Sequence, residues 1–221
     1  MFSISRITKD PLVRQGEIMD AGQELFLTTG YLQTTVQDIV KKVGIAQGTF
    51  YYHFISKEAL LEAIITRHVK AMINKVQLLD KAEATPLEKL QLFINLFYRL
   101  CCDGEPGLIY DMLYREKQGE LINKLWRQTQ ILANPLLVPI IEDCNAQGLT
   151  KVIYMKETLW FFGGIIASLL ESTSPTEYGH ETDPAILENK TEIAQKLIER
   201  LFDAPPGSIH LNMPSSSTIE M

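Results

Sequence analysis

Residues 35–58 leave this chain few folds to adopt. Thr35 and Asp38 stand three apart in the pattern of a capping box, with Asp in place of the usual Glu. Val36, Ile39 and Val40 then form one apolar face. Lys41 and Lys42 follow at the C-terminal end, where positive charge suits the helix dipole. Gly44 makes a tight turn, and a second short helix is expected over residues 46–53. That helix carries Tyr51, Tyr52 and His53 in succession. Neighbouring helical residues point about 100° apart, so three polar-tipped aromatics in a row do not share one core, and at least one faces outward. Two short helices, a tight turn and an aromatic, polar second helix suit a helix laid in a DNA major groove.

The flanking sequence is helical throughout. Asp10-Pro11 reads as a helix start, Asp capping and Pro at the first helical position. Val13, Ile18, Ala21, Leu25 and Phe26 recur at helical spacing, and Gly30 is expected as a left-handed end cap. Gly16 and Gly22 lie inside this helix, each costing about 1 kcal/mol relative to Ala. Close packing against a neighbouring helix accounts for Gly22; nothing in the sequence accounts for Gly16. Ser56 caps a fourth helix that Leu60, Leu61, Ile64, Ile65, Val69, Ile73 and Val76 carry to about residue 79. After Thr85-Pro86, Leu87, Leu90, Phe93, Ile94, Phe97 and Leu100 make another stripe, with a break expected over residues 103–107. Helices are then expected over 108–117, over 120–146 with kinks at Pro135 and Pro139, over 156–172 and over 185–202. Residues 172–184 read as a polar loop. No alternating strand pattern of useful length occurs, so the fold class is all-α.

Composition narrows the function classes. The longest apolar run, residues 159–170, is broken by Gly163, Gly164 and Ser168 and is too short to span a membrane. Residues 1–10 lack the apolar core and cleavage site of a secretion signal. Three cysteines, with Cys101 and Cys102 adjacent, do not suit a disulfide framework, which favours a reducing, cytoplasmic setting. The net charge is −6, but residues 1–60 carry six basic and six acidic side chains; the acidity belongs to the remainder, with fifteen basic and twenty-one acidic. A neutral head predicts modest non-specific affinity for DNA, because phosphate neutralisation drives that contribution. His68, His180 and His210 show no metal-ligand spacing with the cysteines or each other. No phosphate loop, nucleophile elbow or carboxylate pair stands out. Neither a metal, a cofactor nor an enzymatic activity is therefore expected.

The first 60 residues resemble the TetR family of bacterial transcriptional repressors. The residues that carry the resemblance are Ile18-Met19-Asp20-Ala21, Leu25-Phe26, Gly30-Tyr31, Thr34-Thr35-Val36, Asp38-Ile39, Gly44-Ile45-Ala46, Gly48-Thr49-Phe50-Tyr51-Tyr52-His53-Phe54, Ser56-Lys57-Glu58 and Leu60-Leu61. The resemblance implies a helix-turn-helix head over residues 1–55, a helical effector-binding and dimerisation body over 56–203, and a disordered tail over 204–221. It implies that Ala46, Gln47, Gly48 and Thr49 open the recognition helix. Gln47 and Thr49 then reach base edges, and Gly48 lets the backbone approach. Tyr51, Tyr52 and His53 resemble the family's phosphate and base contacts, Lys57 its phosphate anchor, and Thr35 a further phosphate donor. Phe50 and Phe54 are expected to pack the small core. The chain departs from the common pattern at Glu17, where a basic residue often stands, at Gly22, where a second alanine is usual, and at Ala46, which replaces a frequent serine and removes one phosphate hydrogen bond.

For the body, an aromatic-lined pocket between helices is expected from Phe93, Phe97, Tyr110, Met112, Tyr114, Trp126 and Trp160. Asp111 and Glu105 stand near enough in sequence to attract a cation, solvated surface charge being the default. Helices 156–172 and 185–202, with small residues Gly163, Gly164 and Ala167, are expected to form an isologous homodimer interface. The implied function is a homodimeric repressor, bound to a palindromic double-stranded DNA operator and released by a small apolar or amphipathic effector. The alternative is a chromosome-organising protein with the same head and no effector.

Overall fold

A computed structural model describes residues 10–79, 84–102, 104–173 and 184–211. Among them there are nine helices and no strand. The chain divides into two compact units, Met1–Ile64 and Ile65–Met221. Among the described residues no helix is long and apolar enough to cross a membrane.

The first unit starts at α1 (Pro11–Thr29), where the Asp10 carboxylate accepts from the Leu12 N–H at 2.8 Å. Gly30 ends α1 at φ 100° and ψ 154°, a glycine conformation outside the left-handed helical region that was expected. At α2 (Val36–Val43) the capping box is complete. Thr35 Oγ1 accepts from the Asp38 N–H at 3.2 Å, and Asp38 accepts from the Thr35 N–H at 2.9 Å. Gly44 closes α2 in the left-handed conformation, φ 73°, with its N–H on Val40 O at 2.9 Å. Helix α3 (Gln47–His53) follows after two residues. Ser56 caps α4 (Lys57–Leu79), accepting from the Ala59 N–H at 3.0 Å.

Ile18, Phe26, Ile39, Phe50, Leu60, Leu61 and Ile64 are sealed from solvent and make this unit's core. Leu60 explains Gly22: a Cβ there would stand 2.6 Å from Leu60 Cδ2, so only glycine lets α1 lie this close. Because Leu60, Leu61 and Ile64 belong to this core, the division falls inside α4 rather than after residue 55. The head includes two turns of the fourth helix.

The second unit contains the rest of α4 with α5 (Pro86–Cys102), α6 (Gly104–Arg115), α7 (Gly119–Ala146), α8 (Met155–Thr173) and α9 (Pro184–Phe202). A second capping box starts α5: Thr85 Oγ1 accepts from the Glu88 N–H at 3.3 Å, and Glu88 accepts from the Thr85 N–H at 2.7 Å. The break expected at 103–107 is shorter than read, since α6 already begins at Gly104, with Pro106 and Gly107 buried within its first turn. Proline fits there because first-turn N–H groups have no partner inside the helix. Helix α7 runs unbroken through Pro135 and Pro139. Asn145 then closes the turn towards α8: its Oδ1 accepts from Val152 N–H at 3.0 Å and from the Thr150 hydroxyl at 2.8 Å.

The tail over 204–221 requires correction in part; residues 212–221 lie outside the described ones. Residues 204–211 fold back and are held by side chains. The Ile209 N–H donates to Glu199 at 3.1 Å, the His210 N–H to Gln91 at 2.8 Å and the Leu211 N–H to Gln195 at 3.1 Å. Ile209 and Leu211 are buried. Two apolar residues spaced two apart anchor this segment, a signal hidden by the prolines and serines around it. Most of the polar loop at 172–184 also lies outside the described residues.

Candidate functional site

On α3 the sequence sorts side chains by angle. Phe50 points into the core and is fully buried; Gln47, Gly48, Tyr51 and Tyr52 are exposed; Thr49 and His53 are half-buried at the edges. Positions 47, 48, 51 and 52 share one face at about 100° per residue. Tyr52 is 76% exposed, its ring edge-on to His53 at 4.9 Å between centroids. Tyr51 is likewise edge-on to Phe50, at 5.4 Å, so the core ring braces the outer one. Ala46 at the N-cap makes no side-chain cap. Thr35 and Ala46 are exposed at the N-termini of α2 and α3. Oriented N–H groups at such ends favour phosphate. The Thr35 bonds hold the Asp38 carboxyl below its ordinary value, with Lys41 adding a smaller push in the same direction.

Lys57 is the expected phosphate anchor. Its ammonium donates to the carbonyls of Tyr31, at 2.5 Å, and Thr34, at 2.8 Å, and sits 4.2 Å above the centre of the Tyr31 ring. Thr34 in turn donates to Gly30 O at 2.6 Å. The lysine clasps the α1–α2 loop and thereby fixes where Thr35 and α2 begin.

This head, three helices and the opening of a fourth with an exposed polar-aromatic face on the third, matches the family described as "Bacterial regulatory proteins, tetR family" over residues 18–64. Over those residues the chain is similar to the TetR family. The "Fatty acid metabolism regulator protein" of Bacillus subtilis (strain 168) is 31% identical over 110 residues, 49% of this chain and 57% of that protein. The "HTH-type transcriptional repressor KstR2" of Mycobacterium tuberculosis is 33% identical over 85 residues, 38% and 42% of the two chains. The chain thus spans about half the length of the curated relatives it matches. The solved structure of the transcriptional regulator FadR from Bacillus subtilis in complex with stearoyl-CoA aligns with a TM-score of 0.57 at 21% identity, over 88% of this chain and 99% of that one. At that identity the likeness shows the fold alone.

In the body, four of the expected pocket residues come together. Phe93 stacks on Phe97 at 5.8 Å, Phe97 meets Trp126 edge-on at 5.8 Å, and Tyr110 meets Trp126 at 6.4 Å. Met112 is buried and Tyr114 half-buried on α6. Trp160 does not join them: it is 55% exposed on α8, and its neighbour but one, Phe162, occupies the interior place 5.6 Å from Phe97. Within an almost wholly apolar helix, composition does not say which rings face inward.

Two polar residues among these rings escaped the sequence reading. Thr129 and Gln130 are buried, three and four positions after Trp126 on α7, on its face of the helix. The Thr129 hydroxyl lies 3.4 Å from that of Tyr110, and burial drives the Tyr110 pKa upward, so this phenol stays neutral. Gln130 packs against Gly163, where a Cβ would stand 2.7 Å from its amide nitrogen. Asp111, considered for a cationic ligand, pairs with Arg115 at 2.8 Å. Cys101 and Cys144 are buried, and burial pushes the Cys144 thiol up to about 11. The Cys102 side chain and His180 lie outside the described residues, among which no group of His, Cys, Asp or Glu could hold a metal.

Proposed function

We propose that this protein is a homodimeric transcriptional repressor whose hold on a palindromic operator is released by a small apolar or amphipathic effector. One observation carries the reading: Gln47, Gly48, Tyr51 and Tyr52 stand exposed together on the third helix of a TetR-type head. Gln47 and Thr49 read base edges. Tyr51, Tyr52 and His53 serve phosphates and bases, and the N-terminus of α2 at Thr35 takes a further phosphate. Two such helices fit half-sites roughly 34 Å apart.

The dimer is supported by α8 and α9. Phe161, Ile165, Ile193, Ala194, Leu197 and Leu201 line an open groove of about 730 Å³ along them. Phe161 is 66% exposed. A continuous apolar surface of this kind marks an interface more often than a free face. The effector reading rests on the Phe93, Phe97, Tyr110 and Trp126 cluster, with Thr129 and Gln130 as its polar contacts. The likeness to a fatty-acid regulator and to a FadR fold solved with stearoyl-CoA makes a long-chain acyl thioester the first probe. An effector releases DNA only by binding the DNA-incompetent state more tightly than the competent one.

Fluorescence anisotropy with a fragment from upstream of the protein's own gene, at two salt concentrations and against random competitor DNA, tests the reading. Tight, competitor-resistant binding that weakens at least about fivefold in Gln47→Ala and in Tyr52→Ala is expected, from a loss of roughly 1–3 kcal/mol per base contact. Stearoyl-CoA should then lower the affinity. Binding lost equally to random DNA would favour a chromosome-coating protein and sink the repressor reading.

A further inference from the structure

Gln130 stands apart from the other carboxamides of the body. Gln128 donates to the Thr66 hydroxyl at 3.0 Å, Gln91 donates to and accepts from the His210 backbone, and Asn145 holds the turn after α7. Gln130 is more deeply buried than any of these, at 5% exposed, yet it makes no hydrogen bond among the described residues. The other buried glutamine, Gln23 in the head, has interactions of its own. Neither is the Gln130 amide sealed away. Among the described residues the Ser208 hydroxyl is the one side-chain polar atom both shut off from solvent and without a partner. The Gln130 amide, equally without a partner, therefore borders open space.

Helix α8 makes room for this amide. A Cβ at Gly163 would stand 2.7, 2.8 and 2.9 Å from its Nε2, Cδ and Oε1. Such near-equal distances lay the flat face of the amide over the glycine and leave its edge, with the N–H groups and the oxygen, turned aside. Gly163 is buried in the interior of α8, where glycine weakens a helix. Burying an amide without a partner is unfavourable as well. A fold that keeps both features and gains no internal bond from them keeps them for a ligand. Trp126 lies one turn before Gln130 on the same face of α7, and Phe162 precedes Gly163, so the amide borders the ring cluster. A carboxamide offers two donors and an acceptor. Its full complement is an uncharged group with a carbonyl and an N–H on one edge. Esters, thioesters and ketones offer the acceptor alone, and a charged group would be desolvated against a neutral partner. We propose that Gln130 sets the ligand specificity of the aromatic cluster, selecting an apolar molecule that bears a primary carboxamide or a lactam. The assignment rests on the effector reading of that cluster and adds to it the group that the ligand carries.

Calorimetric titration of the full chain with octanamide and methyl octanoate tests the assignment, since the ester keeps the chain and the carbonyl but has no N–H. Octanamide should bind about tenfold more tightly, the scale of one buried polar group left unpaired. Gln130→Met keeps the length of the side chain without its polar atoms and should bring the two ligands to near parity. Its melting temperature should not fall, because the amide has no internal bond to lose. Gly163→Ala, whose methyl pushes the amide aside, should lose the preference too. The proposal is overturned if methyl octanoate matches octanamide in the parent chain, or if Gln130→Met keeps the preference. A Gln130→Met chain that melts lower and weakens both ligands alike makes the residue structural and overturns it equally. If neither compound binds, the proposal falls together with the effector reading of the cluster. Octanamide bound with the expected preference but without effect on operator affinity would defeat effector release and leave the assignment of Gln130 standing.

Discussion

The head and the body treat aromatic residues in opposite ways. On α3 two of three consecutive aromatics are turned to solvent, and Tyr52 is the most exposed of them. In the body Phe93, Phe97, Tyr110, Phe162 and Phe202 are buried in a chain of ring contacts that runs from α5 to α9. The residue types overlap, yet the roles do not. In the head, Tyr51 rests on the core ring of Phe50 and Tyr52 on His53, which leaves their polar tips turned to solvent. In the body, each ring of that chain of contacts is core. Aromatic content therefore marks neither a reading surface nor a pocket until the helix face is known.

Truncation should separate the two regions most sharply. Phe97→Ala removes a buried ring that touches Phe93, Trp126 and Phe162 and should cost about 3–5 kcal/mol in urea unfolding. Tyr52→Ala removes a solvated ring and should shift stability by no more than about 0.5 kcal/mol. A Tyr52→Ala loss as large as that of Phe97→Ala would show that the outer ring is structural, and the contrast between head and body would break.

Why the head was legible and the body only partly so follows from the range of the forces. The head is written in local rules: the Thr35–Asp38 box, Gly44 in the left-handed region and Ser56 as a cap each act within a few residues. Their outcome can be read along the chain. Lys57 shows the limit, because its partners lie 23 and 26 residues away and nothing local announces them. In the body the decisive choices are long-range. Phe162 rather than Trp160 faces Phe97, and the backbone N–H groups of Ile209, His210 and Leu211 are held by the side chains of Glu199, Gln91 and Gln195. An apolar helix such as α8 gives no periodic hint, since nearly every position could face inward. Thr129 and Gln130 were within reach of periodicity, three and four residues beyond Trp126.

The two glycines inside α1 offer a smaller test within one helix. At Gly22 a Cβ would meet Leu60 Cδ2 at 2.6 Å and Cγ at 3.3 Å, and Leu60 has no solvent to move into. Gly22→Ala should destabilise by about 1–3 kcal/mol, the usual cost of overpacking. At Gly16 a Cβ would meet nothing within 4 Å. Gly16→Ala should therefore stabilise by about 0.5–1 kcal/mol, the helix-propensity gain. Equal signs in thermal unfolding would mean that the close approach of α1 to Leu60 is not what Gly22 serves.

The smallest expected effect compares the two capping boxes, one in each unit. Thr35 lowers the Asp38 carboxyl from its ordinary value of 3.8, chiefly through its hydroxyl; Thr85 lowers Glu88 from 4.5, chiefly through its backbone N–H. A carboxyl depressed in the folded state stabilises above its unfolded pKa, and that contribution is lost as pH falls through the folded value. Both boxes should therefore weaken only as pH falls below the ordinary values of their carboxyls, 3.8 for Asp38 and 4.5 for Glu88. Both groups are fully exposed, so each effect is slight and screened by salt. Asp38→Asn should flatten the acid limb of stability against pH for transitions read in the head, and Glu88→Gln for those read in the body, each leaving the other unit's limb unchanged. Crossed effects would mean that the two units unfold as one cooperative body, and the distinction between head and body would then hold for structure but not for stability.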